Sequence, residues 1–501
     1  MRRTLLLTAI SFTIYVRCLF AQAGMLDNSF GTNGKVLTPV YNGAWAYAMA
    51  VSPDGKIVIA GTVDTPGPPD WAWGFARYNE DGTPDTAMGT APIFLDNLGY
   101  IAYEQATTVA IQADGKIIIG GFVGNFYALA RFNNDSFIDS SFGVAGKLFI
   151  DSMSLKALAI QDDGKIIIAG FSLGGLNYDF ALERYNSNGI LDSSFGVNGK
   201  TVTDFGNSDD GISAIAIQPD GKIVAAGTTY HETDYDFALA RYNADGTLDT
   251  TFNSNGTVST PIGTSDDIAF SLVLQQDGKV IAAGATYNGS DEDFALARYK
   301  TDGNLDTSFN STGTVTTALG AGDDVAYSVL LQPDSQIVAA GYSYRGPDND
   351  FALARYNTDG TLDSTFGDQG VVRTDFDNGS TEQAYAAAIT PKGKIVLAGY
   401  SEDDFALAQY ISGLNVGIMN LPLLVNSISI YPNPATISIQ VHLTNLPSNT
   451  TTTLSFINLL GEKVKEQKVN TRDATIDVSD LAEGIYLVKT EKQVVGKFVK
   501  E

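Results

Sequence analysis

Hydrophobic positions fall in short bursts along this chain, each closed by glycine, proline, asparagine or aspartate. The stretch from Ile212 to Thr260 shows the pattern in full. Ile212 to Gln218 alternates apolar with small or polar residues, the period-two signature of a half-buried strand. Pro219-Asp220-Gly221 predicts a tight turn, since proline presets φ and glycine accepts a positive φ. Lys222 to Ala226 reads as a second strand, ended by Gly227, and a polar loop of variable length follows. Asp236-Phe237-Ala238-Leu239-Ala240-Arg241-Tyr242 reads as a third strand. Asn243-Ala244-Asp245-Gly246 turns the chain again, and Thr257 to Thr260 gives a short fourth strand.

This unit recurs. The glycine of its Asp-Gly-Lys turn is found at Gly55, Gly115, Gly164, Gly221 and Gly278, and Gly393 (in Lys-Gly-Lys) and Ser335 hold the same place in the two other copies. The spacings are 60, 49, 57, 57, 57 and 58 residues, the range in which a repeat signals a solenoid, propeller or array. Four antiparallel strands, seven times, predict an all-β fold: a seven-bladed β-propeller of four-stranded antiparallel blades. The ends support a closed ring. The repeats begin with Leu26-Asp27-Asn28-Ser29-Phe30-Gly31 and the strand Lys35 to Thr38, which match the tail of a unit. They stop after Asp404 to Tyr410, which match a third strand. Pairing these two segments would complete the last blade and satisfy two open sheet edges at once.

Composition then bounds the chemistry. Of 501 residues, 31 are basic and 57 acidic, for a net charge of -26. Such a surface repels nucleic acid and anionic membranes and favours cations or cationic partners, or simply keeps an extracellular protein soluble. The residues from Ser427 onward carry as many basic as acidic side chains, so the acidity belongs to the repeats. Residues 1–23 read as a secretory signal: Arg2 and Arg3, the apolar Thr4 to Val16, then Ala21-Gln22-Ala23 at the cleavage point. That apolar run is too short for a stable membrane span, so the mature chain is expected to carry no transmembrane segment. Cys18, the single cysteine, lies inside the signal, which leaves the mature chain without thiols.

The repeat is similar to the delta-60 repeat, a bacterial propeller-type family with no assigned activity. The residues that carry the resemblance are Gln218 to Gly227, the Asp-Phe-Ala-Leu-Ala-Arg-Tyr-Asn runs and the Leu-Asp-x-x-Phe-Gly runs, over roughly Met25 to Tyr410. Copy one departs from the pattern, with Trp71-Ala72-Trp73-Gly74-Phe75 at the approach to its third strand and Met88 for the phenylalanine. Copy three is shortened near Asp151. The C-terminal stretch resembles the sorting domain of type IX secretion, a small β-sandwich. The matching residues are Ile430 to Ala435, Asn458 to Val464, Leu481 to Val488 and Gly496 to Lys500. This resemblance implies type IX machinery as a partner and a secreted or outer-surface location. The expected domains are the signal at 1–23, the propeller at 24–410, a linker at 411–426 and the sorting domain at 427–501.

Two acidic positions recur per unit. One precedes the first strand: Asp209-Asp210, Asp266-Asp267, Asp323-Asp324. The other precedes the third: Asp179, Asp234 with Asp236, Asp291 with Asp293, Asp348 with Asp350, Asp403 with Asp404. First and third strands run the same way in an antiparallel blade, so these carboxylates crown one face of the ring. Such acids cap loops and strand entries, ligate calcium or cleave glycosidic bonds. The first set are the candidate metal ligands. Asp236, Asp293, Asp350 and Asp404 are candidate ligand contacts, with Trp71 and Trp73, expected in a loop on the same face, either stacking on sugar rings or packing. The third-strand arginines and the Leu-Asp aspartates predict a repeated structural ion pair. Gly170 to Gly174 spells the nucleophile-elbow string but leads to a loop, and Asn243 to Asp249 reads as a turn, not a calcium loop. The two histidines, His231 and His442, lie in different domains, which argues against a histidine triad or a multi-histidine zinc site. The expected function is a binding or scaffold module for a glycan, a protein or a divalent cation, with a carboxylate-dependent glycan-cleaving enzyme as the alternative.

Overall fold

The computed structural model describes residues 22–40, 42–65, 71–88, 93–96, 103–173, 177–206, 208–231, 233–376, 380–414, 428–431, 435–443, 452–458, 463–471, 473–482, 484–489 and 494–500. The secretory signal assigned to 1–23 falls almost wholly outside them. The chain divides into two compact units, 1–414 and 415–501.

The first unit is a propeller of seven four-stranded sheets, each a run of antiparallel neighbours. The strands of blade 4 are Asp210–Ile217, Ile223–His231, Asp234–Tyr242 and Thr257–Thr260. The first strands of all neighbouring blades pack against one another around the ring. Closure is as the chain ends predict. Lys35–Thr38 pairs antiparallel with Asp404–Tyr410, with Lys35 opposite Ala408 and Thr38 opposite Phe405. It thereby becomes the fourth strand of blade 7.

The third strand shows why the repeat has its composition. Phe237 and Leu239 point into a core shared with blade 5, while Ala238, Ala240 and Tyr242 point into one shared with blade 3. Both faces are buried, so the strand is apolar throughout rather than alternating. Large residues on one face meet small ones on the next blade, and the sheets interdigitate. The closing tyrosine donates its hydroxyl to the threonine ending the previous blade's fourth strand: Tyr242 to Thr203, Tyr299 to Thr260 and Tyr356 to Thr317, each at 2.9 Å.

The second strand is longer than its sequence suggests. It runs through Gly227 to His231 instead of ending at the glycine. The first strand bulges between Ile212 and Ala214, and this brings the carbonyl of Gly211 against the second strand. A Cβ on Gly227 would lie 1.9 Å from that oxygen. Gly61, Gly284, Gly341 and Gly399 face an equivalent carbonyl at 1.8 Å. The glycine therefore marks a close approach of two backbones, not a strand end. Blade 3 is the exception, its first strand being only Ala157–Ile160 with no register shift.

The second unit holds two antiparallel sheets. One contains Ile428–Tyr431, Ser438–Leu443 and Asp473–Asp477. The other contains Lys463–Val469, Thr452–Ile457, Gly484–Lys489 and Val494–Lys500. Ile439, Val441, Phe456, Ile476 and Val488 share one core between them.

Candidate functional site

The two faces of the ring have different chemistry. On one lie the Asp-Gly-Lys turns. There the third-strand arginine meets the aspartate of the Leu-Asp run, at 2.7 Å for Arg241–Asp249 and 2.9 Å for Arg298–Asp306. The lysine of Asp-Gly-Lys joins the same carboxylate, as in Lys222–Asp249 at 2.8 Å and Lys116–Asp139 at 2.8 Å. Arg241 also donates to the Thr301 carbonyl of blade 5 and lies 4.7 Å above the Phe252 ring. Blade 7 draws its aspartate from the N-terminus, as Lys394–Asp27. These groups are ring staples. Burial alone would raise the Asp249 carboxyl, but bonds from Lys222, Thr251 and Arg241 outweigh it and hold it well below the usual carboxylate range.

The opposite face carries the entries of the first and third strands, and most of the predicted site residues. The paired aspartates there diverge rather than converge. Asp210, Asp267 and Asp324 are buried and turn inward to loop amides. Phe205 N–H donates to Asp210 at 2.8 Å, and Ile262 and Gly263 donate to Asp267 at 2.6 and 3.1 Å. Leu319 and Gly320 donate to Asp324 at 2.5 and 2.9 Å. Asp209, Asp266 and Asp323 are exposed and reach sideways to the preceding blade. They accept from the N–H groups of Tyr178, Tyr235 and Glu292 at 2.9, 3.0 and 3.2 Å. Each pair thus ties a loop on one side and a neighbouring strand on the other. As two-residue metal ligands they do not come together. Glu104 and Glu382 occupy the inward position in blades 2 and 7, both fully buried.

The third-strand acids are mixed. Asp236 and Asp350 are buried, Asp293 accepts from Asn288 at 2.9 Å, and Asp404 is half-buried. Burial, followed by Asp375 and Asp348, raises Asp350. Trp71 and Trp73 depart from the expected loop placement. Both lie in the third strand of blade 1, Trp71–Tyr78, not in a loop. Trp73 takes the place of Phe237, is 1% exposed and donates its indole N–H to the Phe122 carbonyl at 3.0 Å. It belongs to the core and cannot stack on a sugar. Trp71 is half-buried, 4.9 Å from Trp45 and 5.7 Å from the exposed Tyr103.

Sequence reading missed the aromatic half of this face. Tyr178, Tyr230, Tyr287 and Tyr344 are exposed at the ends of second and third strands. Phe171 and Tyr178 pack edge-on at 5.0 Å, as do Tyr230 and Tyr235 at 5.2 Å. A groove of about 320 Å³ lies between Phe171, Tyr178, Tyr235 and Ile268, with Asp209 in its wall. Burial raises the Tyr235 phenol, helped by the charges of Asp209 and Asp266. Its trace in the sequence is the Tyr-Asp-Phe run at Tyr178 and Tyr235, where the tyrosine directly precedes the third-strand acid.

A closed ring of repeated four-stranded blades followed by a separate β unit defines a repeat propeller with an appended domain. Comparison makes this specific. Residues 52–87, 112–142, 161–195, 218–252, 275–309 and 332–366 match the family described as a β-propeller domain of unknown function, DUF5122. Residues 429–501 match the secretion system C-terminal sorting domain. The chain therefore carries DUF5122 β-propeller repeats and a type IX C-terminal sorting domain, which marks it for secretion or the cell surface.

Solved structures with a similar course include PorZ, a surface component of the type IX secretion system of Porphyromonas gingivalis. It is 12% identical with a TM-score of 0.38, over 91% of this chain and 59% of that one. The chain thus spans about three-fifths of PorZ. Drosophila Semaphorin 2a is 7% identical with a TM-score of 0.46, over 96% and 99% of the two chains. An α-L-arabinofuranosidase of Fusarium graminearum is 10% identical with a TM-score of 0.40, over 66% and 98%. None of these carries a function across to this chain. No curated protein matches it.

Proposed function

We propose that the propeller is a glycan-binding module displayed outside the cell, with the carboxylate-bearing face as its binding surface. The observation that supports this reading is the groove between Phe171, Tyr178 and Tyr235 with Asp209 in its wall. Sugar rings present C–H faces that stack on aromatic rings, and hydroxyls that donate to carboxylates. Exposed Tyr178 offers the first and Asp209 the second. The sorting tail delivers the propeller to where such ligands are met. Cleavage is less well supported, because Asp210, Asp267 and Asp324 are buried against loop amides that shield them from substrate.

An oligosaccharide array probed with the full chain tests this, followed by calorimetry on the best ligand. Tyr178→Ala and Tyr235→Ala are each expected to weaken binding by about tenfold, the equivalent of a lost stacking contact of ~1.4 kcal/mol, with melting little changed. Retention of no oligosaccharide, or unchanged affinity in both variants, would overturn the proposal. Release of new reducing ends would favour the enzyme instead.

A further inference from the structure

Among the described residues, the junction of blades 6 and 7 alone combines three converging carboxylates with a buried carboxylate oxygen that no hydrogen bond of good geometry meets. There, three carboxylates from three different elements converge. Asp350 comes from the third strand of blade 6 (Asn349–Tyr356), and Asp375 follows its fourth strand (Val371–Thr374). Glu382 opens the first strand of blade 7 (Glu382–Ile389). Each brings an oxygen within 4.8 Å of the other two. Glu382 is fully buried and Asp350 is 5% exposed, while Asp375 is exposed.

A second observation points to a missing partner. Oε1 of Glu382 accepts from the hydroxyls of Ser380 and Ser401, the latter at 2.9 Å. Oε2 is buried and makes no hydrogen bond of good geometry; the Phe376 main chain lies near enough to lower the carboxyl only slightly against its burial. A buried carboxylate oxygen left bare beside two further acids is costly, and native structures rarely leave one so. The nearest cations are held elsewhere. Lys35 Nζ donates to the Asp375 main-chain carbonyl at 2.7 Å and lies over Phe376. Arg373 donates to Ser343 Oγ at 3.2 Å, and the charges of the exposed Arg345 and of Arg373 offset Asp350 only in part, since its carboxyl stays raised.

Comparison within the ring isolates the feature. The third acid follows the threonine of the fourth strand. Pro261 and Ala318 stand there at the junctions of blades 4–5 and 5–6. Blades 3 and 4 do gather Asp179, Asp204 and Asp210. Asp210, however, is one methylene shorter, and both its oxygens accept bonds, from Phe205 N–H and Ser208 Oγ.

We propose that Asp350, Asp375 and Glu382 bind a divalent cation, calcium by the hardness of an all-oxygen donor set, at the junction of blades 6 and 7. The hydroxyls of Ser380 and Ser401 adjoin the site, and water supplies the rest of a six- to eight-fold shell. The cation would neutralise the carboxylate that burial otherwise pushes up to about 7. This site is independent of the tyrosine groove.

Calcium titrated into the EDTA-stripped full chain, read by calorimetry and by melting temperature, provides the test. Saturable binding at or below millimolar calcium is expected, with a rise in melting temperature. Asp375→Asn, at an exposed position, should weaken binding by about tenfold or more and fold normally. Glu382→Gln should raise the melting temperature in EDTA and abolish the further rise with calcium. Asp204→Asn should leave binding unchanged. Absence of saturable binding at millimolar calcium, or affinity retained within about twofold in Asp375→Asn, would overturn the proposal. Asp375→Asn decides the matter even if Glu382→Gln fails to fold.

Discussion

Asp249 illustrates how a single side chain holds two blades. One of its oxygens takes Lys222 and Arg241, and the other takes the amide and hydroxyl of Thr251. The arginine then passes the connection to the Thr301 carbonyl of the next blade. Repeated as Arg131–Asp139, Arg184–Asp192, Arg298–Asp306 and Arg355–Asp363, the motif runs round the ring. Arg241→Ala leaves Asp249 buried with only Lys222 opposite, and should lower stability by about 3 kcal/mol at neutral pH. The pH dependence carries the signature. Asp249 is held below its unfolded value, so the pair stabilises fully above about pH 4 and is lost as pH falls through the folded value. The gap between wild type and Arg241→Ala in urea denaturation should therefore shrink below about pH 4. A gap independent of pH would show that packing on Phe252, and not the ion pair, dominates.

Strand by strand, the repeat was readable because its signals agree. Period-two patterning, Asp-Gly turns and the apolar third strand all specify one blade. Boundaries were less legible, and for a local reason. Gly227 reads as a strand end, yet it sits mid-strand opposite a bulge, and a bulge leaves no mark in hydrophobic periodicity. Trp71 and Trp73 read as a loop for a similar reason: Ala72 stands where blade 4 has Asp236, so the acid inside the strand entry is missing there. Of the candidate site, the carboxylate face was legible from strand direction. Which acids meet amides and which meet each other was not, because that depends on the neighbouring blade. Gly227→Ala would force a Cβ against the Gly211 oxygen at 1.9 Å and must undo the bulge. It should cost about 3 kcal/mol in chemical denaturation. Gly211→Ala, whose Cβ would meet only Phe171 at 3.6 Å, should stay within about 1 kcal/mol. Equal costs would mean that the carbonyl approach does not select the glycine.

The whole ring depends on its ends. Each blade shares its core with two neighbours, as Val396, Phe405 and Leu407 do with Ile57, Ala76 and Tyr78 across the closure. Lys35–Thr38 covers the edge of Asp404–Tyr410, and Leu26 bridges to Tyr410 beyond it. Asp27 reaches Lys394 at 2.8 Å, and Thr38 meets the Tyr78 hydroxyl at 2.7 Å, so the same short segment touches blades 7 and 1. A solenoid tolerates loss of a terminal strand, because each repeat leans only on its neighbours. A closed ring does not, because opening it exposes two blade faces and one sheet edge together. Removing residues 24–38 should therefore lower the melting temperature by about 10 °C or more. It should also shift the chain toward higher-order species than the full-length protein on size exclusion, through pairing on the bared Asp404–Tyr410 edge. Adding the removed segment back as a peptide should restore melting in proportion to its concentration, since a strand bound only by the folded ring stabilises by mass action. A truncated chain that melts like the full one, with no response to the peptide, would mean that the ring holds without its closing strand.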